Sequence, residues 1–396
     1  MKLKSIENLN VKGKRVLVRV DFNVPIKGGE ISDTTRIEAA LPTIKYLVEN
    51  GAKIILMSHL GRPNGKVVPE LSLRPVADKL SEILGREVKF AQDCIGEETE
   101  KIVSIMKEGD ILLLENVRFH IEEKKNDNEF ARKLASLGEI YVNDAFGTAH
   151  RAQASTYGVA QFIKERAAGF LMIKEIEVLG KLLEDPPRPF VLILGGAKIS
   201  TKVPLIMNFL DRADRIMLGG GLVFTFFKSQ GLGIGNSICE DELVEKANEI
   251  LSIASQKKAD FLLPVDLLAA KEISEETETL EVQREDIPEG WKGVDIGKAT
   301  ISIFKAAIEG AKTILWNGPM GIFEVEKFST GSREIGKKID EQTRKGAFSV
   351  VGGGDTVSCV KKFDINVSHI STGGGASLEF LSGESLPALK FLMEEQ

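Results

Sequence analysis

Residues Gly352 to Thr356 have types and spacing that suit the binding of a phosphate group. Apolar residues from Phe348 lead into three glycines, and Asp355 and Thr356 follow where a helix could begin. Glycines let a ligand approach bare backbone, and the unpaired N–H groups at a helix N-terminus favour anions. The pattern therefore predicts a phosphate-binding corner. The alternative is an ordinary strand–turn–helix corner in which Asp355 or Thr356 caps the helix.

Two lysines, Lys198 and Lys202, follow a second glycine corner that begins at Gly195. If a helix starts there, residues four apart share one face, and a position just past the glycines of a strand favours contact with phosphate. A solvated helix face is the alternative. Neither GxxxxGK[ST] nor GxGxxG occurs in the chain, and their absence disfavours a P-loop NTPase and a standard NAD-binding domain.

The loops of the first half carry arginine and histidine where the second half has glycine. Arginine offers a planar fork that suits carboxylate and phosphate, although exposed arginines most often form surface ion pairs. Asp21 and Asn23 fit beside them as acceptors for a hydroxyl group. If the strands are parallel, the set converges on one sheet edge and predicts a small, highly anionic ligand. The residues are Arg36, His59, Arg62, Arg118, His120, His150 and Arg151.

Short, continuous apolar runs must position these loops. Such runs suit strands that are buried on both faces, as in a parallel sheet covered by helices, where ligands bind beyond the carboxyl ends of the strands. The pattern predicts an α/β fold. The predicted strands are Arg15–Val20, Lys53–Met57, Val88–Ala91, Ile111–Leu114 and Ile140–Val142 in the first half, and Phe190–Leu194, Arg215–Leu218, Phe261–Leu263, Thr313–Trp316, Phe348–Val351 and Val367–Ser371 in the second.

The length of 396 residues is too great for one typical domain, so two are expected. Apolar residues at helical spacing predict one long helix from Gln161 to Leu183, which the prolines of Pro186–Pro189 end. This helix is a candidate stiff connector about which two domains could hinge. A single charged helix is predicted over Glu122–Leu137, and the acidic segment Glu275–Glu289 is interpreted as a solvated surface excursion.

Charge and cysteine usage exclude several classes of protein. The net charge is −6, and all of it arises after Asp185, so no basic stripe indicates nucleic-acid binding. The cysteines Cys94, Cys239 and Cys359 are far apart, which argues against a disulfide framework or a zinc site and fits the cytoplasm. The N-terminal residues lack the apolar segment of a secretory signal, and no run is long enough to span a membrane.

Taken together, the motifs resemble those of the phosphoglycerate kinase family, in the order of that family and over essentially the whole chain. As a set they are highly specific. They are RVDFNVP (Arg19–Pro25), SHLGRP (Ser58–Pro63), NDAFGTAHR (Asn143–Arg151), GGAKISTK (Gly195–Lys202), WNGPMG (Trp316–Gly321), GGGDT (Gly352–Thr356) and STGGGAS (Ser371–Ser377).

The resemblance implies two doubly wound, Rossmann-like parallel-sheet domains with a central cleft and a connecting helix. The N-terminal domain, residues 1–170 joined by 383–396, would bind 3-phosphoglycerate. Residues 171–185 would form the helix that connects the two domains. The C-terminal domain, residues 186–382, would bind the Mg-nucleotide. Leu386–Met393 is the segment expected to fold back onto the first domain.

The resemblance also assigns site residues by motif. The 3-phosphoglycerate contacts would be Asp21, Asn23, Arg36, His59, Arg62, Arg118 and Arg151. The nucleotide contacts would be Lys198, Lys202, Gly293, Glu324, Gly353, Gly354, Asp355 and Thr356. Asp355 would engage the magnesium ion (Mg2+) of the ADP or ATP complex. The catalytic groups would be Arg36, Lys198, Gly352 and Gly374.

The implied activity is reversible phosphoryl transfer from 1,3-bisphosphoglycerate to ADP, by direct in-line transfer with hinge-bending domain closure, in a cytoplasmic monomer. The residues agree with it, because the carboxylate that attacks in the ATP-consuming direction is already ionised and needs no general base. The nearest rival is a dehydrogenase, which the missing GxGxxG disfavours. The other is a non-catalytic nucleotide-binding protein, which could have lost Lys198 or the arginine set; both are present.

Overall fold

The computed structural model describes residues 2–394, which divide into two compact units. One unit comprises residues 2–178 with 385–394, and the other comprises Leu179–Glu384. Among the residues described, no helix combines the length and the apolar character needed to cross a membrane.

The first unit is built on a parallel sheet flanked by helices. Its strands are β1 (Arg15–Arg19), β2 (Ile26–Lys27), β3 (Glu30–Ile31), β4 (Lys53–Met57), β5 (Lys89–Phe90), β6 (Ile111–Leu113), β7 (Ile140–Asn143) and β8 (Glu165–Ala168). Its helices are α1 (Thr35–Glu49), α2 (Arg74–Leu84), α3 (Glu97–Ser104), α4 (Ile121–Lys125), α5 (Asn128–Ser136), α6 (Val159–Phe162) and α7 (Phe170–Leu183), of which α7 continues into the second unit.

The strand order of this sheet is β5-β6-β4-β1-β7-β8, with all pairs parallel, while β2 and β3 form a separate hairpin. The central strands are buried on both faces because their residues are almost all apolar. The chain runs from β1 to β4, on to the edge strand β5 and back to β6 between them, and then crosses to β7 on the other side of β1. Ligands bind at such a switch point, beyond the carboxyl ends of the strands.

The second unit repeats the architecture. Its strands are β9 (Phe190–Leu194), β10 (Arg215–Leu218), β11 (Asp260–Leu262), β12 (Asp266–Ala270), β13 (Thr279–Gln283), β14 (Lys292–Ile296), β15 (Thr313–Asn317), β16 (Phe348–Val351) and β17 (His369–Ile370). Its helices are α8 (Val203–Phe209), α9 (Val223–Ser229), α10 (Val244–Ala254), α11 (Lys298–Ile308), α12 (Thr330–Arg344), α13 (Gly354–Lys362) and α14 (Gly375–Leu381).

The large sheet of this unit has the parallel order β11-β10-β9-β15-β16-β17. Counted along the chain, this is the 3-2-1-4-5-6 order of a doubly wound fold, with its switch point between β9 and β15. The glycine corners that follow β9 and β15 therefore lie side by side. The predicted α/β class with two parallel sheets is confirmed.

The predicted long helix from Gln161 to Leu183 is wrong. Helix α6 ends at Phe162, residues 165–168 form the edge strand β8 against β7, and α7 begins only at Phe170. Buried Ala167 and Ala168 lie in the interrupted part, and Gly169 donates its N–H to the carbonyl of Asn143. Pairing with a distant strand thus outweighed a local pattern that also suited a helix.

The acidic segment Glu275–Glu289 is largely exposed, as predicted, and it contains β13, which pairs with β12 in an antiparallel sheet with β14. Of the five residues of β13, only Val282 is buried. The charged helix predicted over Glu122–Leu137 is two helices, because Asn126 adopts a left-handed conformation and Asp127 accepts a hydrogen bond from the Phe130 N–H, which starts α5.

The C-terminal segment packs within the first unit. The Lys4 N–H donates to the Leu392 carbonyl at 2.8 Å, and the Ala388 N–H donates to the Ala149 carbonyl at 3.1 Å. Arg166 of β8 donates to the Phe391 carbonyl at 2.9 Å and lies over its ring. These contacts tie the chain end to β8 and to the loop after β7.

Candidate active site

In the first unit, the loops after β1 and β4 are joined by hydrogen bonds. Arg36, near the start of α1, donates to Asp21 Oδ2 at 3.0 Å and to the Asn23 carbonyl at 3.3 Å. The Asn23 side-chain oxygen accepts from the Gly61 N–H at 2.9 Å. Asp21, Asn23 and Arg36 are therefore held together at the carboxyl edge of the sheet.

His59 lies in the same cluster and is buried, at 4% exposure. Its Nδ1 is 3.1 Å from a terminal nitrogen of Arg19 and 3.9 Å from Asp21 Oδ1. Burial holds the pKa of His59 well below its usual value, and the positive charges of Arg19, Arg118 and other arginines act in the same direction. His59 is therefore neutral at physiological pH.

Arg118 is the buried cation of this cluster, at 3% exposure. One terminal nitrogen donates to the Gly61 carbonyl at 2.9 Å, while Nε and the other terminal nitrogen have no hydrogen-bond partner among residues 2–394. Burial lowers the pKa of Arg118 to about 10, and the charges of Arg19 and Arg151 add to this effect. Unpaired buried donors are costly, so the site is suited to an anion that would satisfy them.

The remaining members of the predicted set lie in different surroundings. Arg62 and Arg151 are exposed, and Arg151 Nε donates to His150 Nε2 at 3.0 Å. His120 instead contacts Asp93 at 2.7 Å and stacks near Phe130, so it does not join the arginine cluster. Together with Asp93 and Cys94, His120 forms the one grouping of potential metal ligands found in the described part of the chain.

A buried network behind His59 was missed in the sequence. Arg19 has no exposed surface and donates to Ser155 Oγ at 2.8 Å, to the Val20 carbonyl and to His59. Ser155 in turn donates from Oγ and from its N–H to the carboxylate of buried Glu123. Arg19 interrupts the apolar pattern at the end of β1, and a charge inside a buried strand is the signal that could have identified it.

The second unit brings the corners after β9 and β15 into backbone contact. The Gly195 N–H donates to the Asn317 carbonyl at 3.0 Å, and the Gly196 N–H donates to the Pro319 carbonyl at 3.0 Å. A Cβ atom on Gly195 would lie 2.0 Å from the Pro319 carbonyl oxygen, and one on Gly318 would lie 2.2 Å from that of Gly195. Only glycine allows this approach at either position.

Lys198 and Lys202 lie before a helix and not on one. Helix α8 begins at Val203, so the predicted shared helix face is wrong. Lys198 is exposed, whereas Lys202 is buried and donates to the side-chain oxygen of Asn317. Burial lowers the pKa of Lys202 to about 8, although the nearby carboxylate of Asp355 acts in the opposite direction. Proline at the second position of α8 suits the first turn of a helix and fixes the start there.

Helix α13 begins at Gly354, and its N-cap is Gly353, whose φ of +91° a residue with a side chain rarely adopts. The alternative of a cap by Asp355 or Thr356 is wrong. Thr356 instead accepts a hydrogen bond from the Gly318 N–H at 2.7 Å, which ties α13 to the corner after β15. Asp355 is exposed in the first turn of the helix.

Gly352 and Gly374 occupy different positions. The Gly352 N–H donates to the Trp316 carbonyl at 3.1 Å, so this amide is used in the hydrogen bonding of the sheet. Donors for a ligand at this corner must therefore come from the following amides, those of Gly353 and Gly354. Gly374 caps α14 with φ of +53° and precedes its first amides.

Two adjoining cavities lie at this edge of the second unit. One has a volume of about 260 Å³ and is lined by both lysines, by Asn317 and by Gly353–Thr356. The other has a volume of about 330 Å³ and is more apolar, with Gly293, Glu324, Phe224 and Ile238 among its lining residues. Gly196, Ala197 and Asp355 border both. A molecule that joins an apolar ring to phosphate groups matches this pair of cavities.

Phe224 and Ile238 were not identified from the sequence. The Phe224 ring packs directly against Gly293 of β14, where a Cβ atom would lie 2.2 Å from it. Ile238 is 48% exposed at the cavity. Single apolar residues give no sign in a sequence of which cavity they will line, because core residues and ligand-lining residues have the same types.

Comparison with known proteins identifies the family of the chain. The family model described as phosphoglycerate kinase matches residues 6–384. The chain is 53% identical to phosphoglycerate kinase of Thermosipho africanus (strain TCF52B) over 389 residues, 97% of this chain and 96% of that protein. It is 52% identical to phosphoglycerate kinase of Chlorobium phaeobacteroides (strain BS1), over 99% of this chain and all of that one.

Solved structures are also similar to this chain over nearly its whole length. The structure of phosphoglycerate kinase from Coxiella burnetii matches with a TM-score of 0.88 at 42% identity, covering 99% of both chains. That of phosphoglycerate kinase from Pyrococcus horikoshii OT3 matches with a TM-score of 0.85 at 34% identity, covering 98% of both. The chain therefore belongs to the phosphoglycerate kinase family and is a kinase of glycolysis that acts on small-molecule substrates.

Proposed function

We propose that the enzyme transfers a phosphoryl group directly and in line between the 1-carboxyl phosphate of 1,3-bisphosphoglycerate and ADP, to give 3-phosphoglycerate and ATP. The observation that carries the substrate assignment is Arg118, because a buried guanidinium with two unpartnered nitrogens requires an anion. The surrounding arginines make the site strongly positive, and 3-phosphoglycerate is small and carries two anionic groups.

Within the first unit, the arginines would bind phosphate and carboxylate, while Asp21 and Asn23 would accept from the hydroxyl of the substrate. Arginine suits this task because its planar fork makes paired, charge-assisted hydrogen bonds. Arg36 is the cation best suited to lie beside the transferred group, because its bonds to Asp21 and Asn23 hold it at the sheet edge. Arg62, Arg118 and Arg151 complete the proposed set with His59.

The transfer needs no general base. In the ATP-consuming direction the carboxylate oxygen of 3-phosphoglycerate forms the new P–O bond, and the bond to the bridging oxygen of ADP breaks. A carboxylate is already ionised at neutral pH, so catalysis rests on positioning and on offsetting charge in the transition state. Lys198 and Arg36 would supply that charge, with backbone N–H donors from the α13 corner and from Gly374.

In the second unit, the more polar cavity would hold the phosphates of the nucleotide and the more apolar one its base and ribose. Lys202 and the amides of Gly353 and Gly354 border the first, and Gly293 and Glu324 the second. The Glu324 carboxylate suits ribose hydroxyls as an acceptor. Thr356 would act indirectly, because its hydroxyl oxygen already accepts from the Gly318 N–H.

Asp355 fits a magnesium ion bound with the nucleotide. It presents an exposed carboxylate that borders both cavities, and Mg2+ commonly binds through one carboxylate together with phosphate oxygens and waters. The ion would neutralise charge on the phosphates. Asp355 also lies close enough to Lys202 to affect the pKa of that lysine, so carboxylate and ammonium serve the same phosphate region.

The substrate surfaces belong to different units, so we propose that transfer requires closure about the region of α7. We further propose that the enzyme acts as a cytoplasmic monomer without nucleic-acid partners. Sedimentation analysis at micromolar concentration would test the oligomeric state, and a dimer would contradict that part of the proposal.

The test of the function is ATP-dependent phosphorylation of 3-phosphoglycerate in the presence of magnesium, followed by consumption of the acyl phosphate in a coupled assay. We expect activity that disappears when either 3-phosphoglycerate or magnesium is omitted. The matched controls replace 3-phosphoglycerate with glycerate, which lacks the phosphate, or with 2-phosphoglycerate, which carries it on the neighbouring carbon.

If a folded preparation binds Mg-ADP but shows no transfer, the assignment of the arginine cluster in the first unit is wrong while that of the second unit stands. If transfer persists without magnesium, the proposed role of Asp355 is wrong.

A further inference from the structure

Arg19 is held in one position by acceptors on three sides. It is fully buried, and its guanidinium donates to Ser155 Oγ, to the Val20 carbonyl and toward His59 Nδ1. Ser155 is in turn anchored by Glu123, which accepts from both its hydroxyl and its N–H. The guanidinium therefore cannot turn away from the imidazole without breaking a buried network.

An arginine has only donors, so the nitrogen of His59 that faces Arg19 must be an acceptor. We propose that Arg19 is a positioning residue that locks His59 as a neutral imidazole with its proton on Nε2, so that His59 offers the substrate a hydrogen-bond donor and no charge. The identity of the substrate in this inference rests on the proposed function, whereas the tautomer and charge of the His59 ring do not.

The charges that face His59 from neighbouring elements favour the same state. Arg36 of α1, Arg118 after β6 and Arg151 after β7 each oppose an imidazolium, and burial lowers the pKa of His59 further. Asp21 Oδ1 lies 3.9 Å from Nδ1 and is the one carboxylate that could favour the charged ring. Its other oxygen already accepts from Arg36, which offsets this charge.

A neighbouring arginine also fixes the tautomer of His150, but here it is the opposite tautomer to that of His59. Arg151 Nε donates to His150 Nε2 at 3.0 Å, so the proton of a neutral ring must be on Nδ1. That Nδ1 is buried and has no hydrogen-bond partner within residues 2–394. Burial is the main cause that lowers the pKa of His150, and Arg151 and Arg118 add to it, while Asp21 acts in the opposite direction.

Two histidines of this site are thus neutral N–H donors, and the tautomer of each is fixed by a neighbouring arginine. The consequence for the buried His59 is that its ring takes up no proton when an anionic substrate leaves or enters near neutral pH. Charge recognition is left to the arginines.

The test is NMR of the full chain labelled with 15N in its histidine rings, without ligands, from pH 5.5 to 8. The chain has four histidines, so long-range 1H–15N spectra can be assigned with His59→Gln and His150→Gln. We expect His59 as the Nε2–H tautomer, without titration in this range, and His150 in its neutral form as the Nδ1–H tautomer. His120 is the internal control, because Asp93 raises its pKa and it should titrate.

The proposal is overturned if His59 titrates within this range or carries its proton on Nδ1. Because the spectra are recorded without substrate, they decide the tautomer even if the transfer assay of the proposed function fails. Adding 3-phosphoglycerate then tests the substrate: the Nε2–H signal of His59 should shift, whereas glycerate should have a weaker effect.

A variant tests the role of Arg19. In Arg19→Met, Nδ1 of His59 loses the donor that faces it, so the ratio of the Nδ1–H to the Nε2–H tautomer of His59 in the spectra should rise several-fold above the wild-type ratio. The matched control is Arg15→Met, a half-buried arginine of the same strand that pairs with Glu139 at the surface, for which the ratio should stay at the wild-type value. An unchanged ratio in folded Arg19→Met would contradict the positioning role, and if that variant does not fold, the wild-type spectra still decide.

Discussion

At the scale of single residues, some charged side chains of the site are held in place by hydrogen bonds, whereas others are exposed. Arg36 is anchored by Asp21 and Asn23, and Lys202 is anchored by Asn317, whereas Lys198 is exposed at its corner. A group that interacts mainly with the transition state lowers kcat when it is removed, whereas a group that also binds the ground state affects KM as well.

We predict that Lys198→Ala and Arg36→Ala each lower kcat at least about 100-fold, the usual effect of losing one preorganised charge or donor. The measurement is steady-state turnover with both substrates saturating. The matched control is Lys246→Ala, a half-buried lysine of α10 that pairs with Glu249 and should leave turnover unchanged. Near-normal turnover in either site variant would show that its catalytic assignment is wrong.

The pKa of Lys202, lowered to about 8 by burial, predicts a pH dependence of nucleotide binding. The anionic phosphates favour the charged ammonium, so its pKa rises on binding. Above pH 8 the free enzyme must therefore take up a proton, and the affinity for Mg-ADP falls as the pH rises from 7 to 9. Calorimetry at pH 8.5 in buffers of different ionisation enthalpy measures this uptake.

Lys202→Met serves as the control for that measurement, because it keeps a similar length without a titratable group. We expect the variant to bind more weakly and to show less proton uptake. If uptake is the same in both proteins, another group is responsible.

At the scale of elements, the start of α7 depends on a contact that local sequence does not reveal. Buried Asp144, in the loop after β7, accepts from the Met172 N–H at 3.1 Å, and the Phe170 N–H donates to Thr43 Oγ1 at 2.9 Å. A Cβ atom on Gly169 would lie 2.3 Å from Asp144 Oδ1. The first turn of α7 and the loop that carries His150 and Arg151 are thus packed together.

We predict that Gly169→Ala lowers the free energy of unfolding by about 1–3 kcal/mol, because the added methyl group overpacks a buried carboxylate. Gly180→Ala, in the interior of the same helix, is the matched control. Nothing lies within 4 Å of a Cβ atom there, so it should raise the stability by up to about 1 kcal/mol through helix propensity. Urea unfolding followed by circular dichroism measures both, and equal effects of the two substitutions would contradict the packing argument.

At the scale of the whole molecule, the proposed ligand surfaces lie at the switch points of two separate parallel sheets. The β1–β7 switch point is in the first unit and the β9–β15 switch point is in the second. Direct transfer requires the reacting oxygens to come within bonding distance, and the closure proposed above would couple binding of the two ligands to a change of conformation.

We predict that the radius of gyration measured by small-angle X-ray scattering falls when 3-phosphoglycerate and Mg-ADP are both present, and changes less with either alone. Arg118→Ala is the control, because it should abolish the response to 3-phosphoglycerate while Mg-ADP still binds. An unchanged radius with both ligands bound, shown by calorimetry in the same buffer, would contradict the closure.

Much of the fold could be predicted because its signals are local. The run Lys53–Met57 is apolar after its initial lysine and is β4 at the predicted bounds, and the apolar run Phe190–Leu194 is likewise β9. Such runs are long enough to bury a strand on both faces, and the loops that follow them in a parallel sheet must share one edge. Strand ends, glycine corners and family motifs are therefore properties that the amino-acid sequence by itself determined.

The tertiary structure alone decided the features that depend on distant partners. Residues 165–168 are a strand because β7 offers an unpaired edge, and Arg19 is buried because Ser155, 136 positions away, accepts its hydrogen bond. The protonation states of His59 and His150 follow from which nitrogen faces an arginine. Local patterns set conformational preferences of about 1 kcal/mol or less per residue, and burial, pairing and charge contacts made across the fold are large enough to override them.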